Sequence, residues 1–141
     1  MSPRTLVALS SSALLVSLAQ AAISIPAQAQ MRKLGNAELK REIPGRVVYL
    51  NTLVGAVPIR YLPDGSMVAQ SKKIAPYMGR SRDTGRWWVN RGRLCQKWRN
   101  WLQGKMHCFT IRRRGRFVRW VRNDGETGTA RLSSRVVQAR Q

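Results

Sequence analysis

Hydrophobic and polar residues alternate with a period of two through most of this chain. Residues 46–50, 57–62, 66–70, 86–90, 93–99, 105–112, 116–122 and 127–132 each carry that pattern, and each predicts a short strand. Turn residues separate them: Pro63-Asp64-Gly65, Arg91-Gly92, residues 100–104, Arg113-Arg114-Gly115 and Asn123-Asp124-Gly125. Pro58 places the second run at a sheet edge or near its own start, because proline cannot donate to a ladder. Residues 71–84 are polar, basic and broken by Pro76 and Gly79, and read as the longest loop. Helical spacing stands out at 34–43, where Leu39 and Ile43 share a face, Asn36 can cap, and Pro44-Gly45 ends the run. The predicted fold is mainly β: a small antiparallel meander of seven or eight strands with one short N-terminal helix. A curled sheet or a barrel would protect its edges.

The first 29 residues break this pattern. Met1-Ser2-Pro3-Arg4 is a short positive leader, residues 6–18 are Leu, Val, Ala and Ser, and Ala27-Gln28-Ala29 presents small side chains before a cut. Basic start, apolar stretch and A-x-A site together predict a cleaved secretory signal over 1–29 and a periplasmic or secreted product. The competing reading is an uncleaved anchor, since residues 6–25 approach spanning length; its serines and a glutamine weaken that reading. The mature chain then divides into one domain over 30–132 and a tail over 133–141, with no transmembrane helix.

Export gives the two cysteines a meaning, because an even pair outside the cytoplasm reads as a disulfide. Residues 93–98 and 106–111 form a hairpin in this reading. If it is symmetric about the Trp101–Leu102 peptide, Cys95 falls opposite Cys108 at the approach a cross-strand bridge needs. Leu94, Gln96 and Trp98 then share the other, mostly apolar face with His107, Phe109 and Ile111. Arg93, Lys97 and Arg112 lie on the disulfide face. Two thiols and one histidine out of phase are too few for a metal site, and the spacing is not Cys-x-x-Cys.

Catalytic signals are weak. His107 is the only histidine and is expected on the inward face or at its rim; Asp64 and Asp124 sit beside glycine in turns, and Glu38 and Glu42 lie four apart on the helix as solvated charge. No phosphate loop, zinc helix or nucleophile elbow occurs. The expectation is a protein that is not an enzyme and uses no cofactor or metal.

Charge adds the strongest hint of function. The chain has 26 Lys and Arg against 6 Asp and Glu, a formal net charge of +20, and only Arg4 of these lies in the first 30 residues. Arg112, Arg113, Arg114 and Arg116 form the densest cluster, with Arg119 and Arg122 following at strand spacing and Arg93 and Lys97 on the neighbouring run. Trp87 and Trp98 follow the inward alternation and are expected in the core. Trp88, and Trp101 in the hairpin loop, are expected at the surface. Arginine forks suit phosphate and carboxylate, and indole faces stack on sugars or bases. Together they predict a surface for polyanions, with Arg112, Arg113, Arg114, Arg116, Arg93, Lys97, Trp88 and Trp101 as its residues. Acidic polysaccharide or lipopolysaccharide is the expected partner. Membrane-surface contact is compatible, and nucleic acid enters only as non-specific binding. The alternative is a secreted protein-interaction module such as a protease inhibitor or effector.

Gly85-Arg86-Trp87, Leu94-Cys95-Gln96-Lys97-Trp98, Cys108 and the Asp64-Gly65 and Asp124-Gly125 turns resemble a family of small exported proteobacterial proteins carrying a domain of unknown function. The resemblance implies a periplasmic or secreted β-fold and supplies no activity; this chain departs from it in arginine density. A second likeness is to small-barrel inhibitors of secreted metalloproteases, which use a free N-terminal arm. Here that arm would be residues 30–33.

Overall fold

The computed structural model describes residues 30–134; the predicted export signal and all but the first two residues of the predicted tail lie outside them. The elements run β1 (Arg32–Lys33), α1 (Asn36–Glu42), β2 (Arg46–Thr52), β3 (Gly55–Tyr61), β4 (Ser66–Gln70), a 3-10 turn (Lys72–Ile74), α2 (Ala75–Met78), β5 (Arg82–Asn90), β6 (Arg93–Trp98), a kinked turn (Trp101–Gly104), β7 (Met106–Arg114), β8 (Phe117–Arg122) and β9 (Thr127–Leu132). Strands β2 to β9 form an antiparallel meander. It closes where β9 returns to β2 through Val48↔Leu132, Tyr49↔Arg131 and Leu50↔Ala130. The result is an eight-stranded up-and-down barrel, so no barrel strand is left as a free edge.

β1 is a ninth strand outside that circuit. β6 leaves β7 after Leu94↔Phe109, and β1 takes over farther along through Lys33↔Arg112 and Arg32↔Arg113. The arm expected to be free is therefore held in the sheet at Arg32 and Lys33. A two-residue strand has no alternation of its own, and only the vacant stretch of β7 makes it one.

Two further expectations change. The loop predicted over 71–84 contains the 3-10 turn and α2, and β5 begins at Arg82 rather than at 86. Ile74 is buried there, Pro76 sits in the first turn of α2 where its missing N–H costs nothing, and Gly79 ends it at φ 77°. Asn36 is not the cap of α1. Gly35 is, with its N–H donated to Glu38 Oε2 at 2.9 Å, while Asn36 Oδ1 accepts from Gly92 N–H at 2.6 Å.

Inward residues alternate as the period-two pattern predicts: Val57, Ile59 and Tyr61 on β3, Met67 and Ala69 on β4, Leu94, Gln96 and Trp98 on β6. Pro58 costs no β4 bond, because that ladder starts one residue later at Ile59↔Ala69. Close packing needs glycine at two inward positions. A Cβ on Gly85 would stand 2.4 Å from Lys97 O, and one on Gly128 would stand 2.2 Å from Trp120 Cζ2. The only side-chain pair bridging the deep core is Tyr61 Oη donating to Gln96 Oε1 at 2.8 Å among the described residues, and burial pushes the Tyr61 phenol well above its ordinary range.

The two ends of the barrel differ. One carries the β3–β4, β5–β6 and β7–β8 turns and is plugged by α1, whose Leu39, with Leu34 and Ile43 on either side, joins the core. The other carries residues 53–54, 71–81, 99–105 and 123–126. Among the described residues no helix is long and apolar enough to cross a membrane.

Candidate functional site

The disulfide fixes the face on which the predicted site lies. Cys95 stands opposite Cys108 in the β6–β7 ladder with Cα atoms 4.0 Å apart, and the two are bonded. Gln96↔His107 and Leu94↔Phe109 carry the opposite, inward phase, as the hairpin symmetry predicts. The bond is on the outside of the barrel yet Cys95 has no exposure; half-buried Trp88 lies opposite it on β5.

The eight predicted binding residues are divided by this geometry. Arg93 and Lys97 stay on the outer phase of β6 with Trp88 on β5 beside them, and Arg112 and Arg114 are exposed on the outer phase of β7. Arg113 has the inward phase and lies at the plugged end, where its Nη1 donates to Glu42 Oε2 at 2.7 Å; it is not part of an open surface. Arg116, in the β7–β8 turn, donates to Leu132 O at the end of β9 at 3.1 Å.

Trp101 is the clearest correction, at 3 % exposure. Leu102, Gln103 and Gly104 adopt positive φ of 53°, 60° and 62°, which folds the loop back onto the barrel. Asp83, reaching in from β5, accepts from Trp101 N–H at 2.7 Å and from Asn100 N–H at 2.8 Å and Nδ2 at 3.0 Å. The indole then packs on Trp98, ring centroids 5.0 Å apart, and donates to Arg80 O at 3.2 Å. Burial works to raise the Asp83 pKa, but the bonds from Trp101 and Asn100 outweigh it and hold the carboxyl below its ordinary range.

All six carboxylates have local partners. Glu38 meets Arg32 and the Gly35 N–H. Glu42, half-buried, is shared by Arg113, Arg46 and Arg41, and the Arg113 bond leads in holding its pKa low. Asp64 accepts from Ser66. Arg122, inward rather than on the predicted surface, clasps Asp124 and Glu126, and its hydrogen bonds bring Asp124 down to about 2.

The outer face of β7, β8 and β9 consequently has arginine with no acid in register. Arg112 lies directly across from Arg119, Lys33 lies across from Arg112 on its other side, and Arg131 sits opposite Phe117 and Tyr49. Phe117 and Tyr49 are 37 % and 40 % exposed, giving flat apolar area among the cations. Sequence reading found Arg112 and Arg119 but not Arg131, Lys33, Tyr49 or Phe117. Arg131 is a lone cation between Ala130 and Leu132, and only strand register brings it into the group. Among the described residues no three of His, Cys, Asp and Glu gather into a group suited to a metal. No protein-family model matches the chain, and no curated protein or solved structure shows significant similarity to it.

Proposed function

We propose that this is an exported, non-catalytic module that holds an acidic polymer, an acidic polysaccharide or lipopolysaccharide of the envelope or extracellular space, against the outer face of β7–β9. One observation carries the reading: Arg112 and Arg119 face each other across neighbouring strands, and none of the six carboxylates reaches them. Like charges directly opposite destabilise a sheet, so the pair costs free energy that a bound anion would recover. Guanidinium forks bind phosphate or carboxylate in two-point contacts, and the rings of Phe117 and Tyr49 offer faces for sugar rings. A disulfide on the neighbouring hairpin keeps the face rigid despite strong self-repulsion.

The test is capture of an acidic polysaccharide, lipopolysaccharide and DNA by the purified, disulfide-bonded protein across a salt series. The Arg112→Gln/Arg119→Gln/Arg131→Gln variant is expected to lose most binding at about 0.15 M salt, with a shallower salt slope. An Arg60→Gln/Arg86→Gln/Lys97→Gln control with the same charge loss should keep it. Equal losses in both variants, or equal capture of DNA and glycan, would reduce the interaction to bulk charge and sink the proposal.

A further inference from the structure

The barrel is not filled. A cavity of about 520 Å³ runs through its interior, from Ile43 beneath the helical plug past Ile59 and Val118 to Leu53 and Met78 at the other end. That volume falls within the range of about 300–1,000 Å³ typical of small-molecule pockets, and eight strands is the count at which a barrel holds either side chains or one small ligand. Its wall is overwhelmingly apolar. Apolar rims mark the open end: Leu53 is fully exposed at the β2–β3 turn, and Tyr77 on α2 is 71 % exposed.

Two polar atoms in this region are buried and unpartnered among the described residues: Trp120 Nε1 and His107 Nδ1. Both residues have the inward phase toward the open end. Trp120 lies in the cavity wall, wedged over Gly128 and edge-on to Phe109 at 5.5 Å. His107 lies in an adjoining recess with Lys105 and Arg122, and the two spaces share Met78, Leu102 and Arg122. An indole N–H only donates, so the group that complements it is an acceptor. Leaving such a donor buried and unmet costs about 1–3 kcal/mol, so an acceptor placed beside it is favoured.

From the apolar wall, the unmet indole donor and Lys105 in the adjoining recess, we infer that the barrel interior is a binding site for a single-chain amphiphile, a fatty carboxylate. Its acyl chain lies along the cavity toward the plug, and its carboxylate stays near Trp120 Nε1 and His107. This site is separate from the arginine face. Arg112, Arg114 and Arg131 lie toward the plugged end on the outside, whereas the mouth is at the opposite end.

The experiment is isothermal titration of the disulfide-bonded protein with dodecanoate and with dodecylammonium, which has the same chain and no acceptor in its head. Saturable one-to-one binding of dodecanoate is expected, at least tenfold tighter than dodecylammonium. In a Trp120→Phe/His107→Phe variant that preference should fall about tenfold while chain binding persists. Ala130→Phe, which puts a ring into the cavity from β9, should abolish binding of both. Amide NMR shifts in the native protein cover the case in which that variant does not fold. Shifts at 107, 118, 120 and 128 on addition of dodecanoate support the site. Shifts confined to 112, 119 and 131, or no saturable binding, overturn it.

Discussion

The two ends of the barrel are finished in different ways. At the plugged end the chain supplies everything: Leu39 seals the core, Asn36 meets the Gly92 N–H, and Glu42 is shared among three arginines. At the open end the chain secures only its own loops, with Asp83 pinning Asn100 and Trp101 and Arg122 clasping the β8–β9 turn. The inner rim keeps Trp120 Nε1 and His107 Nδ1 unmet. Both ends have the same strand architecture and similar apolar walls, so the contrast is chemical. One end has its polar groups met from within the chain, and the other leaves two buried polar atoms unmet among the described residues.

The largest way to break this contrast is to open the plug. Leu39→Ala removes a fully buried side chain, and a loss of about 3 kcal/mol is expected in urea unfolding monitored by circular dichroism. A loss under about 1 kcal/mol would mean that α1 rests on the barrel without sealing it. Next is Asp83→Asn, which leaves the loop 99–105 with a weaker anchor and should cost about 2 kcal/mol at pH 7. Asp83 and Glu42 both titrate below their ordinary range in the fold. The stability they add is therefore complete above the unfolded carboxylate pKa and is lost as pH falls through the folded values. Stability of the native protein should drop below about pH 4, and the Asp83→Asn variant should show a shallower acid decline. An unchanged acid limb would remove Asp83 from the account. The smallest effect sharpens the contrast: His107→Phe deletes an unmet polar atom, so stability should change by no more than about 0.5 kcal/mol or rise slightly. A loss above about 2 kcal/mol would reveal a hydrogen bond that completes the rim from within.

Legibility in the sequence followed distance along the chain. Strands β4 and β9 were readable to the residue because Asp64-Gly65 and Asn123-Asp124-Gly125 fix where the chain turns. The Cys95–Cys108 register was readable because one local hairpin determines it. Trp101 was not, since its burial depends on a carboxylate 18 residues earlier, within a stretch whose polarity hid the start of β5. Arg113 looked like its neighbours in a run of arginines. Its inward phase, and Glu42 waiting on a helix 71 residues away, separate it from them. The cationic face was half legible for the same reason: Arg112 and Arg119 share a hairpin, whereas Arg131 joins them only through β8–β9 pairing.

The closing seam between β2 and β9 also has a bearing on time. Val48 meets Leu132 and Leu50 meets Ala130 across roughly eighty intervening residues, while every other barrel pairing is between consecutive strands. Hairpins join quickly because little chain entropy is spent on each, and a seam this remote in sequence forms last. A chain that emerges from its N-terminus therefore displays β2 as an unpaired edge until its final strand arrives. During that interval the same edge is open to strands from other molecules, a liability that ends when the seam closes.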